Sequence, residues 1–134
     1  MTKPNFTGRW RFNPNQSSLQ IALPDSISFV IEHREPQFHL ERTLVVGGNS
    51  DTFSIDLKTD GKTVITHHAG LEIRASLRWD VHSLLFASRV QRDGVQGTNI
   101  VRYKLSNDDK VFTAEEQFRS KDYNYDNLWV FNKQ

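Results

Sequence analysis

Proline occurs at positions 4, 14, 24 and 36 and nowhere from residue 37 to residue 134. So long a run without proline leaves every backbone N–H free to join a ladder, which suits regular β-sheet. Turn signals interrupt the run at close intervals: Gly47-Gly48-Asn49-Ser50, Asp60-Gly61, Asp93-Gly94 and Ser106-Asn107-Asp108-Asp109, with Asn13-Pro14-Asn15 and Glu35-Pro36 before it. The stretches between them are about six to ten residues long and rich in Val, Ile, Phe, Thr and Leu, the composition of strands. Several alternate. Phe53, Ile55 and Leu57 oppose Ser54, Asp56 and Lys58; Leu71, Ile73, Ala75, Leu77 and Trp79 oppose Glu72, Arg74, Ser76, Arg78 and Asp80. A period of two places one set on a buried face and the other on a wet one.

The pattern predicts strands over 8–13, 26–34, 37–46, 51–58, 62–69, 71–80, 83–92, 97–106, 110–119 and 124–132. Most joints are short enough for hairpins. Asp60-Gly61, within residues 57–64, is the strongest single hairpin signal, because Asp-Gly suits a tight primed turn. Residues 15–24 fit either a short helical turn or a loop crossing a barrel mouth, with Leu19, Ile21 and Leu23 packing down. Sequential hairpins without a long return connection favour a meander over a Greek-key sandwich. The expected fold is all-β: one domain over residues 1–134, a closed antiparallel up-and-down β-barrel of about ten strands. Barrels of that size leave room inside for a small ligand, so an interior cavity is expected.

Gly8-Arg9-Trp10, at the start of the first strand, resembles the Gly-x-Trp opening of the lipocalin and fatty-acid-binding group, the calycins. Phe6, Gly8, Trp10, Asn13 and Ser17 are similar to the opening of a bacterial family of small lipocalin-like proteins of unknown function. The endings Asp108-Asp109-Lys110 and Trp129-Val130-Phe131 also look like that family's last strands. The resemblance implies that Gly8 and Trp10 close the barrel, with an Arg from elsewhere in the chain (Arg89, Arg102 or Arg119) packed on Trp10. Two features depart from fatty-acid-binding proteins. The 14–25 interval is too short for their helix–turn–helix, and the last strand lacks the Arg-x-Tyr pair that grips a carboxylate. The residues alone give Gly8 and Trp10 a structural role too: glycine allows close backbone approach, and Trp10 with Phe12 forms a wide apolar plug.

Composition excludes several chemistries. The 134 residues contain no cysteine, so disulfides, thiolate nucleophiles and cysteine-ligated metals are ruled out. A formal charge of +1 offers no general attraction for nucleic acid. No apolar stretch is long enough to insert in a membrane as a helix. The chain as it stands reads as cytoplasmic; a removed leader would make it periplasmic or secreted. His67 and His68 are neighbours in a strand and point to opposite faces, so they cannot chelate together. His33 and His39 flank the Glu35-Pro36 turn, where Glu41 could join them in a weak site. Neither metal nor cofactor is expected. No nucleophile elbow is present, and an enzyme is the lesser expectation.

Arginines on strand faces carry the candidate binding chemistry. Arg42 shares parity with Phe38, Leu40 and Leu44, and Glu116, between Ala114 and Phe118, is its natural buried partner. Arg89 shares parity with Leu85 and Ala87, and Arg102 with Ile100. Tyr125, Asn127, Trp129 and Phe131 lie along one face of the last strand, with Tyr123 before them. The expected ligand-binding residues are therefore Arg42, Arg89, Arg102, Glu116, Tyr125 and Trp129. The expected function is binding of a small, largely apolar or amphipathic, anionic molecule inside the barrel. Two rivals stand beside it: a structural or interaction module using the outer sheet face, as a homodimer, and a cavity enzyme of isomerase type.

Overall fold

The computed structural model describes residues 3–134. These residues form ten strands: β1 (Gly8–Phe12), β2 (Ser26–Arg34), β3 (Gln37–Val46), β4 (Asn49–Lys58), β5 (Val64–His68), β6 (Leu71–Asp80), β7 (Ser83–Arg92), β8 (Val95–Leu105), β9 (Val111–Ser120) and β10 (Asn124–Lys133). The sheet order is β4-β3-β2-β1-β10-β9-β8-β7-β6-β5, antiparallel throughout. The first strand pairs with the last, with Trp10 opposite Lys133 and Phe12 opposite Phe131. The result is a nearly closed meander barrel. The predicted bounds of β2, β3, β6 and β7 match residue for residue.

The ladder does not close between β4 and β5, where the strongest hairpin signal lies. The Asp60-Gly61 turn is held by other strands instead. Gly61 N–H donates to the Leu77 carbonyl at 2.9 Å, and Asp60 bridges to Arg78, both in β6. Thr59 N–H donates to the Pro36 carbonyl at 2.9 Å. Residues 59–63 thus span the seam at one end instead of folding β5 back on β4. At the other end the seam is crossed by side chains: His68 Nε2 meets the Asp51 carboxylate at 2.9 and 3.0 Å, and the His68 ring packs edge-on against Phe53.

Between β1 and β2 the chain makes no helix. Ser18 exchanges backbone hydrogen bonds with Leu128 of β10, and Gln20 N–H donates to Asn127 Oδ1 at 2.8 Å. Leu19 packs on the core, but Ile21 and Leu23 are 38% and 61% exposed, so only the first of the three expected contacts forms. The interior is largely aromatic. Phe6, Trp10, Phe38, Phe112 and Phe131 are among the largest fully buried side chains.

Trp10 sits where the resemblance places it, inside the barrel at the start of the meander. Its Nε1–H donates to the Phe6 carbonyl at 3.1 Å, and Phe112 meets it edge-on at 5.5 Å. The cation beside it is Lys133, with Nζ 5.7 Å from the ring centroid, and not an arginine. Lys133 lies opposite Trp10 in the neighbouring strand, so the β1–β10 register delivers it. Gly8 adopts φ 155°, a conformation that residues with a side chain rarely take, and an added Cβ would also lie 3.2 Å from Lys133 Cε and 3.4 Å from Trp10 Nε1.

The two-residue turns Gly47-Gly48, Ala69-Gly70 and Asp93-Gly94 all have positive φ at both positions, as type I′ hairpins require. Val81, in the β6–β7 turn, adopts φ 58° and is exposed. A β-branched residue is strained in that region, by roughly 1–2 kcal/mol. Val81→Gly is therefore expected to stabilise the fold by about 1 kcal/mol, after allowing for the added chain freedom of glycine. Chemical denaturation checks it: the midpoint rises with an unchanged slope.

Candidate ligand-binding site

Strand alternation brings Arg42 of β3, Phe53 of β4, Asn99 and Tyr103 of β8, Glu116 of β9 and Trp129 of β10 to one interior cavity of about 110 Å³. Phe29, Phe86 and Phe131 supply apolar wall. The cavity lies in the half of the barrel towards residues 13–25.

Glu116 is the fixed anion of the site. One carboxylate oxygen accepts from Asn127 Nδ2 and Trp129 Nε1, each at 2.9 Å. The other accepts from Asn99 Nδ2 at 2.9 Å. Three neutral donors therefore solvate a carboxylate that points inward. Arg42 is not its partner. Arg42 also points inward, opposite Phe29 and Phe53 in the ladder, but its guanidinium meets Asp51 at 3.6 Å and lies over the Phe53 ring. Asp51 shares the inward parity of Phe53 at the seam. Its carboxyl is held below the usual range by the His68 hydrogen bond, with His68 and Arg42 adding attraction against a smaller opposing effect of burial. Of the buried side-chain polar atoms among the described residues, Arg42 Nε and Asn99 Oδ1 have no hydrogen-bond partner. The Asn99 amide orientation follows from its neighbour, since a carboxylate only accepts.

Burial, reinforced by the nearby Glu116 charge and opposed by Arg42, pushes the Tyr103 phenol far up. It is a neutral hydroxyl at any ordinary pH. Tyr125 is also raised, by burial and then by Glu116.

No family model matches the chain, and no curated protein is significantly similar to it. Solved structures do match over the full length. Secretory abundant heat soluble protein 4 from Ramazzottius varieornatus superposes with a TM-score of 0.65 at 12% identity, over 100% of this chain and 99% of that one. Human cRBP IV gives 0.64 at 12% identity, over 98% and 99%. A Schistosoma mansoni fatty acid binding protein, solved with arachidonic acid, gives 0.58 at 9% identity, over 96% of each chain. The fold is calycin-like. The narrower likeness to a bacterial family has no matching family model behind it.

The six expected binding residues divide. Arg42, Glu116 and Trp129 line the cavity. Tyr125 shares their inward face but stacks on Phe118 at 4.9 Å and 12°. It is not among the residues bordering the cavity. Arg89 and Arg102 lie on the outer face, against expectation. Arg89 is exposed, while its neighbour Ser88 is buried. Arg102 donates to Asp80 at 2.7 Å and to Ser83 Oγ at 2.6 Å. The apolar residues whose parity they share, Leu85, Ala87 and Ile100, belong to the outside of β7 and β8, and Ile100 is 42% exposed.

The proposed pairing of His33 with His39 also fails. His33 is buried, with Nδ1 accepting from Phe6 N–H at 3.2 Å and Nε2 2.9 Å from Glu35. His39 points outward to Asp56. Asn99 is the site residue that went unrecognised. Its signal was present: Val101 and Tyr103 face inward, and the same parity carried back along β8 reaches Asn99. Asp51 and His68 had no comparable signal, because their meeting depends on the open seam.

Proposed function

We propose that this barrel binds a small, largely apolar molecule in its interior. The observation that carries the reading is the cavity beside Glu116 and Arg42, walled mainly by aliphatic and aromatic side chains. At about 110 Å³ it is well below the few hundred Å³ of drug-sized sites. An apolar cavity of about 150 Å³ is enough for benzene. The occupant is accordingly of that order, unless Phe53 and the seam behind it give way to admit a longer one. The Schistosoma mansoni fatty acid binding protein solved with arachidonic acid agrees with an interior ligand without specifying it.

Titration with benzene, followed by thermal unfolding, tests the reading. Binding to the native state alone raises the melting temperature with ligand concentration. Ala114→Leu, which fills the cavity from its β9 wall, is expected to abolish the rise. No rise in the unaltered protein would overturn interior binding. Native mass spectrometry of the purified protein adds a search for a retained ligand.

An anionic ligand, the narrower form of this reading, has Arg42 as its partner but must also face Glu116. Arg42→Met separates ligand binding from stability. Arg42 has no buried carboxylate depending on it, and its contact with Asp51 is partly exposed at 3.6 Å. The substitution is expected to change stability by less than about 1 kcal/mol. A loss of several kcal/mol would show instead that Arg42 holds the fold.

The isomerase alternative needs a free inward base. His33 has both ring nitrogens engaged within the fold. The interaction-module alternative has the outward Leu85, Ala87 and Ile100 in its favour, and a homodimer in analytical ultracentrifugation would support it.

A further inference from the structure

We infer that His33 is an acid-sensitive latch on the segment before β1, which plugs one end of the barrel through Phe6. The latch stands apart from interior binding. Phe6 is fully buried although it belongs to no strand. Its ring packs on Phe38 of β3, Trp79 of β6 and Phe112 of β9. Two side chains hold its backbone in place. Trp10 Nε1–H donates to its carbonyl at 3.1 Å, and its own N–H donates to His33 Nδ1 at 3.2 Å. Thr7 Oγ1 ties the next residue to the same histidine. It accepts from the His33 N–H at 2.9 Å and donates to the His33 carbonyl at 3.1 Å.

A backbone N–H only donates, so Nδ1 is the bare nitrogen of the ring and Nε2 carries the proton. Nε2–H then donates to Glu35 at 2.9 Å. His33 is therefore neutral while Phe6 is seated. A proton added at Nδ1 sets one donor against another. The residue is 3% exposed, so water does not replace the lost bond. The charged groups at this end are Glu35, in the β2–β3 turn, and Lys3, whose Nζ lies 4.9 Å from the centroid of the Trp79 ring. β3 and β6 face the imidazole with the rings of Phe38 and Trp79, at 5.2 and 5.8 Å. Glu35 attracts an imidazolium, but it already accepts from Thr59 and Trp79. It also meets Nε2–H in either protonation state, so it does not restore the acceptor that Phe6 loses. The charged ring is compatible with Glu35 and incompatible with a seated Phe6. Opening frees Nδ1 to take up one proton, so the open form gains as pH falls. The ratio of open to closed rises by up to about ten-fold per pH unit across the range in which histidine charges.

Amide exchange at about pH 7.5 and about pH 5, on either side of ordinary histidine titration, tests the latch. After correction for the intrinsic exchange rate, the Phe6 N–H is expected to lose at least about ten-fold in protection at the lower pH. The Trp10 indole N–H follows it, while Phe86, mid-ladder in β7, keeps its protection. His33→Asn places an acceptor that does not titrate about where Nδ1 lies. It is expected to make Phe6 protection the same at both pH values. Nitrogen chemical shifts of the His33 ring in the unaltered protein give a readout that needs no variant: a bare Nδ1 and a protonated Nε2 at the higher pH. A protonated Nδ1 there would overturn the inference. So would Phe6 protection that is unchanged at about pH 5, whatever the charge of the ring. If Phe6 loses protection equally in His33→Asn, another group releases the segment and the latch is not His33. If Phe86 loses protection together with Phe6, acid unfolds the barrel as a whole and no separate plug exists.

Discussion

Replacing Trp10 with alanine is expected to destabilise the protein by about 3–5 kcal/mol, the range for large buried aromatics. Trp10 is 1% exposed and packs against Phe112. Its removal leaves a cavity in the most densely aromatic part of the barrel. It also strips the Phe6 carbonyl of the indole N–H that serves it, and Phe6 is itself fully buried. A domain of this size has roughly 5–15 kcal/mol in hand, so the loss is a large share of the whole. Trp10→Phe separates the two contributions. It keeps an aromatic body and loses only some volume and the hydrogen bond, so a smaller cost of about 1–3 kcal/mol is expected. Guanidinium unfolding of the three proteins reads both effects from the midpoint at constant slope. If Trp10→Ala costs under about 1 kcal/mol, the neighbouring rings collapse into the space and Trp10 is not a keystone of closure.

The strands were legible because each follows from a local period. Phe53, Ile55 and Leu57 fall inside, as their alternation requires, and so do Ile73, Ala75 and Leu77. What was not local was less legible. Asp60-Gly61 carries the right chemistry for a turn, and a turn is what forms. Whether the strands on either side then pair depends on competing partners for residues 59–61, here Pro36, Leu77 and Arg78. The same distinction divides the arginines. Arg42 sits among residues that are themselves inside, so parity places it correctly. Arg89 and Arg102 were placed through Leu85, Ala87 and Ile100, which are apolar residues on the outer face. Proteins expose many such residues, so parity with one of them does not tell inside from outside. Glu116 shows a further limit. Parity placed it inside, but its partners came from β8 and β10 through the register of the closed sheet. An arginine was the obvious partner for a buried carboxylate by charge alone. Two asparagines and an indole serve instead.

That arrangement makes Glu116 the most informative single position. Glu116→Leu is expected to cost about 3–5 kcal/mol, because it leaves Asn99, Asn127 and Trp129 N–H groups without an acceptor, and each orphaned donor costs about 1–3 kcal/mol where water does not reach it. Asn127 is 4% exposed, so little relief comes from solvent there. Glu116→Gln distinguishes the geometry of the network from its charge. The glutamine carbonyl can accept from Asn127 and Trp129 in place of one carboxylate oxygen. Its amide then faces Asn99 Nδ2, donor against donor. Asn99 has a remedy, since its Oδ1 lacks a partner: rotating the amide by half a turn presents that oxygen to the glutamine. Glu116→Gln is therefore expected to cost no more than about 1 kcal/mol, the worth of one ordinary hydrogen bond. Denaturation of the two variants measures both costs. Equal destabilisation by Leu and Gln would show that the charge of Glu116, and not its acceptor geometry, holds the three strands together.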